Sequence, residues 1–145
     1  MVKVLSIDPG KYKSGLVLAE ISEQKVYQAM VLKSEILKDY VKDLNSVEDI
    51  SKIIIGNGTY SSEIKKILDF LKKEIITFEE KNTTYRAKDR YFELFPISGL
   101  KFLIPREIFI LKKNLDAISA LIILEDYCKI KFTLDKNLDF KTWLK

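Results

Sequence analysis

Residues 2–19 read VKVLSIDPGKYKSGLVLA. Two runs of mainly aliphatic residues, 2–7 and 14–19, flank the turn signal Asp-Pro-Gly at 8–10, which predicts two strands with a tight connection. Strands joined by so short a connection pair antiparallel. Residues 25–32 predict a third strand, so the chain should open with an antiparallel meander.

Two further strands follow the meander. The run Lys52–Gly56 is apolar and β-branched, as in a strand covered on both faces, and Ile75–Phe78 resembles it. Between them, apolar residues at helical spacing predict a helix capped by Ser61 or Ser62. A strand, a helix and a strand in this order predict a parallel pair of strands joined by a right-handed crossover.

Other helices are predicted from an N-cap at Ser34 through Leu44, from after Thr84 to about Leu94, and from Asn114 through about Lys129, with a loop at 95–105. The sum is an α/β fold: a five-stranded mixed sheet, three antiparallel and then two parallel strands, with helices on both faces. This order resembles the RNase H-like fold, in which sites lie beside the carboxyl ends of the parallel strands.

Composition limits the chemistry. The 145 residues suit one domain spanning 1–145, and 47% hydrophobic with 32% charged residues excludes wholesale disorder. The chain has one cysteine and no histidine, which excludes a disulfide framework, a multi-cysteine zinc site and every His-dependent triad. A lone cysteine without a signal sequence or membrane span predicts a cytoplasmic protein.

The net charge of +4 is regional. The window from Lys81 to Lys113 holds eight basic and three acidic residues, a net +5 against −1 elsewhere. Such a window suits an anionic partner, although a solvated lysine-rich face is an equal alternative before motifs are considered.

Three acidic positions stand out by their setting. Asp8 follows the first strand, Glu79 and Glu80 follow the fifth, and Asp116 lies early in an apolar helix. Taken singly, each has a plain structural role: a turn opener, a solvated strand end, or a helix cap. In the predicted fold they meet at one sheet edge, where carboxylates repel each other unless a hard cation such as Mg²⁺ or Mn²⁺ lies between them.

The motifs resemble the YqgF/RuvX family and, for the first of them, Holliday-junction resolvases. The similarity covers roughly residues 3–130 and is carried by DPG with Gly15, by EEKNTT at 79–84 with Ala87, and by LDAISALIIL at 115–124 with Tyr127. Glu79 stands where the family commonly has Asp, and Lys81 where Arg is usual.

The resemblance implies a metal-dependent nuclease. Its catalytic metal ligands would be Asp8, Glu80 and Asp116, Glu80 being chosen over Glu79 because the family's catalytic acid is the second of its pair. The implied cofactor is Mg²⁺ or Mn²⁺. The implied substrate is the small-subunit ribosomal RNA precursor, with a four-way DNA junction as the alternative, and related resolvases act as dimers.

Basic and hydroxyl side chains surround the second motif. Lys81, Thr83, Thr84, Arg86 and Arg90 are predicted to contact nucleic-acid phosphates, Arg86 and Arg90 from one helix face. The threonines could equally cap the helix. A non-catalytic nucleic-acid-binding module is the alternative of another class, and an actin-like phosphotransferase would need two such domains.

Overall fold

The computed structural model describes residues 2–96, 103 and 112–138. Six strands form one sheet: β1 (Lys3–Asp8), β2 (Lys13–Glu20), β3 (Lys25–Lys33), β4 (Ile50–Gly56), β5 (Glu74–Phe78) and β6 (Thr133–Leu134). Their order across the sheet is β5-β4-β1-β2-β3-β6. β1 pairs antiparallel with β2 and parallel with β4, so it lies in the centre of a mixed sheet.

Four α-helices accompany the sheet: α1 (Leu37–Val47), α2 (Ser61–Leu68), α3 (Thr83–Leu94) and α4 (Lys112–Cys128). Single 3₁₀ turns at Ser34–Ile36 and Asp69–Leu71 precede α1 and follow α2. None of the described helices is long and apolar enough to cross a membrane.

The predicted mixed sheet of an α/β fold is present, but the predicted number of five strands is wrong, because the sheet has six. The sixth, β6, pairs parallel with β3 through Lys25 and Val26. Two residues are too few to show the alternation that marks a strand in sequence. Backbone bonds from Thr133 N to Gln24 O and from Asp135 N to Val26 O hold it in place.

Strand alternation divides the core into two layers. On β1, Leu5 and Ile7 face α1 and α2, whereas Val4 faces α3 and α4. Residues 117–124 of α4 are at most 2% exposed, so this helix is apolar on all sides because the sheet and α3 enclose it. Each fully buried aliphatic side chain in these layers contributes about 1.5–3 kcal/mol.

The predicted serine caps are wrong. Ser34 directs its hydroxyl to the carbonyl oxygen of Gly10, 2.7 Å away, and makes no cap bond. Helix α2 is preceded by Tyr60, also without a side-chain cap bond. Ser34 instead joins the turn after β1 to the start of the first helical segment, a long-range contact that local pattern does not reveal.

Some sequence predictions lie outside the described residues. The loop predicted at 95–105 is described only at Phe95, Pro96 and Leu103, and the basic residues Lys101 and Arg106 are not described. Helix α3 ends at Leu94 as predicted but begins earlier than predicted, at Thr83, and α4 begins two residues earlier than predicted.

Candidate active site

Asp8 is the last residue of β1 and lies half-buried at the carboxyl edge of the sheet. Since Val4 and Ser6 face α4, alternation places Asp8 on that same side. Its register partner on β2 is Gly15. Asp8 therefore sits in the central strand, directly beneath the start of the C-terminal helix.

Gly15 allows α4 to approach the sheet at this point. A Cβ atom on residue 15 would lie 1.8 Å from the carbonyl oxygen of Asp116, so only glycine fits. The Ser6 hydroxyl also donates to the carbonyl oxygen of Ala120 at 2.7 Å and holds the next turn of α4 on β1. These contacts bring Asp116 to the edge that carries Asp8.

Glu80 lies two residues after the end of β5, at the same edge of the sheet. Its backbone N–H donates to Oδ1 of Asn57 at 3.1 Å, and its Oε2 accepts the Thr83 hydroxyl at 3.1 Å. The carboxylate occupies the space above Gly56, where a Cβ atom would be 2.9 Å from Oε2. Glu79, in contrast, is exposed, so Glu80 is the member of the pair that faces the site.

The charges of Glu80 and Asp116 act on the Asp8 carboxyl. Burial, then the charge of Glu80, then that of Asp116 raise the pKa of Asp8 to about 7, from an ordinary value of 3.8. In the described part of the chain, the one basic group within ion-pair distance of any of the three is Lys13, whose Nζ lies 3.1 Å from Oδ2 of Asp116.

The donor set fits a hard divalent cation. All three side chains offer carboxylate oxygens, and Oδ2 of Asp116 is buried without a hydrogen-bond partner. Among the described residues, no three His, Cys, Asp or Glu side chains are grouped so as to hold one ion together in this conformation. Mg²⁺ commonly takes only one or two protein carboxylates and completes its shell with water and substrate phosphate.

The second motif supplies a turn and the first residues of α3. Asn82 adopts a left-handed conformation with φ of 55° and precedes Thr83, which is 5% exposed and donates to Glu80. Lys81 and Thr84 are exposed. Of the two threonines, Thr83 therefore fixes the glutamate, whereas Thr84 faces solvent.

Both predicted arginines bind carboxylates of α4. Arg86 forms a bidentate pair with Asp126 at 2.6 and 2.8 Å, and its side chain keeps 42% exposure. Arg90 is 8% exposed and donates to both oxygens of Glu125 at 3.1 and 2.7 Å. Arg90 also donates to the carbonyl oxygen of Phe132, so it joins α3, α4 and the segment before β6.

Several supporting residues were not singled out from the sequence. Ser14 and Ser34 bond to each other at 2.8 Å and to the backbone of Gly10, which fixes the turn after Asp8. The signal for Ser6 and Ser14 was a small hydroxyl inside otherwise apolar strands. Nothing in the local pattern marks Lys13, because its partner is distant in the chain.

No family model matches the sequence, and no curated protein matches it. Its fold is similar to that of T. thermophilus RuvC, solved in complex with a Holliday junction substrate. The similarity has a TM-score of 0.52, covers 89% of this chain and 96% of that chain, and comes with 10% sequence identity. Such low identity shows the shared fold alone, and membership of the YqgF/RuvX family stays a prediction.

Proposed function

We propose that this protein is a divalent-metal-dependent endonuclease that hydrolyses phosphodiester bonds in structured nucleic acid. The observation that carries the proposal is the meeting of Asp8, Glu80 and Asp116 at one sheet edge, where burial of the Asp8 carboxyl and, after it, the charges of Glu80 and Asp116 raise the pKa of Asp8 to about 7. Mutual repulsion of this kind is the arrangement that a bound cation stabilises.

Asp8, Glu80 and Asp116 would hold Mg²⁺ or Mn²⁺, which when bound lowers the pKa of a water molecule and stabilises charge on the phosphate oxygens. The chain's own part is to present the oxygens. Thr83 and Asn57 fix Glu80, and the close approach at Gly15 fixes the backbone of Asp116. Asp8 must release its carboxyl proton before it can act as a ligand.

Substrate phosphates would be positioned by the exposed side of the second motif. Lys81 and Thr84 are exposed there, and the side chain of Arg86 keeps 42% exposure beside its bidentate pair with Asp126. Phosphate contacts of this kind set the register of a nucleic acid and carry no sequence information. Arg90 is excluded from the proposed interface because it is buried and satisfied by Glu125 and Phe132.

Two substrates follow from different observations. The motif resemblance favours the small-subunit ribosomal RNA precursor, which we put first. The structural similarity to a protein solved with a Holliday junction favours a four-way DNA junction as the second candidate. RNA and DNA differ at the 2′-hydroxyl and in helix form, and no described residue is assigned to that difference.

The test is cleavage of a ribosomal RNA precursor and a four-way DNA junction side by side, with Mg²⁺, with Mn²⁺ and with chelator. We expect metal-dependent cuts in at least one substrate. Binding of either substrate without any cleavage would instead support a non-catalytic nucleic-acid-binding module. Absence of both binding and cleavage would contradict the proposal.

A further inference from the structure

Lys13 holds a place at the site that the nuclease motifs do not explain. Its Nζ lies 3.1 Å from Oδ2 of Asp116, with 53% of the lysine side chain and 31% of the aspartate side chain exposed. Oδ2 itself is buried from solvent and accepts no hydrogen bond of good geometry. The ammonium therefore pairs with this oxygen by charge, without a hydrogen bond of good geometry.

The position of Lys13 is set by the strand. It is the first residue of β2, two residues before Gly15, so both face α4. The hairpin that carries Lys13 is fixed by the bond between Ser14 and Ser34 and by their bonds to Gly10. The ammonium is thus directed to Asp116 by the fold, not by a mobile surface tail.

Charge counting shows what this ammonium does. Within the described residues, no Lys or Arg lies within ion-pair distance of Asp8 or Glu80, so three carboxylates share a single lysine. One positive charge leaves the set net negative, whether or not Asp8 keeps its proton. A divalent cation would bind the same oxygen of Asp116 more strongly than an ammonium, because it carries twice the charge.

We propose that Lys13 is a positioning residue, a displaceable counter-ion that occupies Oδ2 of Asp116 until a divalent cation replaces it. The proposal rests on the proposed nuclease function and deepens it. The exchange forms a cation–oxygen contact and breaks the ammonium–oxygen contact, and no covalent bond changes. The released ammonium stays charged at the rim of the site, where it can pair with a substrate phosphate.

Removal of the ammonium should therefore ease cation binding. In Lys13→Met the cation no longer competes with a fixed positive charge, and we expect Mn²⁺ to bind about five- to tenfold more tightly than to the wild type. The matched control is Lys11→Met, which removes the same charge from the same hairpin. Lys11 lies over the ring of Tyr12 at 5.2 Å rather than against a site carboxylate.

Isothermal titration calorimetry with MnCl₂ measures the affinity of the full-length chain without any cleavage assay. Thermal melts add a second measurement. Without metal, Lys13→Met should melt below Lys11→Met, because Asp116 is left without a counter-ion; with saturating Mn²⁺ the two should converge. Lys13→Arg should restore the metal-free stability.

The outcomes separate the two proposals. Equal or weaker Mn²⁺ affinity in Lys13→Met than in Lys11→Met would overturn the role of Lys13, even if the wild type binds Mn²⁺ and cleaves nucleic acid. A wild type that neither binds Mn²⁺ nor cleaves would overturn both. Tighter Mn²⁺ binding in Lys13→Met but not in Lys11→Met, together with a lower metal-free melting temperature of Lys13→Met, would support the role of Lys13 as a counter-ion.

Discussion

Gly15 and Asp116 are in backbone contact: a Cβ atom on residue 15 would lie 1.8 Å from the carbonyl oxygen of residue 116. Gly15 is also the register partner of Asp8. One position without a side chain thus sets how closely the C-terminal helix approaches the central strand. The distance between the first and third candidate ligands depends on this contact.

Gly15→Ala should disrupt this contact. The clash is with backbone, which cannot rotate away, so α4 must shift, and we expect a loss of about 3 kcal/mol or more in the free energy of unfolding. Urea denaturation measures it. Gly58→Ala is the matched control, because a Cβ there meets only ordinary contacts at 3.6–3.7 Å. Equal stability of the two variants would contradict this account of the packing.

Asp8→Asn, Glu80→Gln and Asp116→Asn should each abolish Mg²⁺-dependent cleavage, because a neutral amide oxygen lacks the negative charge with which a carboxylate binds a hard cation. Nucleic-acid binding, measured by fluorescence anisotropy, should be largely kept. Glu79→Gln is the control, since Glu79 is exposed and removal of its charge tests the neighbouring position of the same motif. Full cleavage by all three variants would show that the carboxylates have no part in the reaction.

Asp8→Asn should also change the pH dependence of stability. The pKa of Asp8 is about 7 in the folded protein and 3.8 when unperturbed. Asp8 therefore costs no stability below about pH 4, and stability is lost as pH rises towards 7. The neutral amide removes that loss, so Asp8→Asn should equal the wild type at pH 4 and exceed it by up to about 4 kcal/mol at pH 8.

Thermal and urea unfolding of the metal-free protein from pH 4 to pH 8 measure this difference. The exposed Asp43→Asn is the control and should show no such trend. A wild type and an Asp8→Asn variant with parallel pH profiles would mean that Asp8 titrates normally.

Arg90→Met should destabilise the fold far more than Arg86→Met. Glu125 is 5% exposed and would lose the guanidinium that binds both its oxygens, which typically costs about 3–5 kcal/mol. The more exposed pair of Arg86 with Asp126 is expected to contribute about 1 kcal/mol or less. Chemical denaturation compares them, and recovery of stability in Arg90→Met with Glu125→Leu would confirm the unpaired carboxylate as the cause.

Lys81→Ala should reduce the salt dependence of nucleic-acid binding. Each lysine that neutralises a phosphate contributes about 0.9 to the slope of log affinity against log salt. Anisotropy titrations at several NaCl concentrations measure the slope. Lys42→Ala, an exposed change on α1 at the opposite face of the sheet, should leave it unaltered. Equal slopes in both variants would remove Lys81 from the interface.

The large elements were predictable because local pattern dominates them. The apolar alternation of β1 and β2 and the end of α3 at Leu94 could be predicted from the sequence. The two-residue β6 could not, because its pairing with β3 depends on Phe132 being held by Arg90 and Glu125. The prediction of Ser34 as a helix cap was wrong because its hydroxyl donates to the carbonyl oxygen of Gly10, in the turn after β1.

The candidate site was partly predictable for a similar reason. The carboxyl ends of neighbouring parallel strands meet at one edge of a sheet, so the positions of Asp8 and Glu80 after their strands predict that they lie at the same edge. The choice of Glu80 over Glu79 needed the motif resemblance, and in the structure its contact with Thr83 distinguishes it. Lys13 was not predicted as part of the site because its partner, Asp116, lies more than one hundred residues further along the chain. A lysine in a hairpin carries no local signal of such a contact.

The bond between Ser6 and Ala120 spans 114 residues of chain. A ribosome adds roughly 5–20 residues per second, so the first strand leaves the exit tunnel on the order of 10 seconds before the helix that must dock on it. A nascent chain would therefore carry Asp8 for some seconds before Asp116 is available to join it. Any activity that needs both carboxylates can begin only after α4 has been translated and has docked on β1.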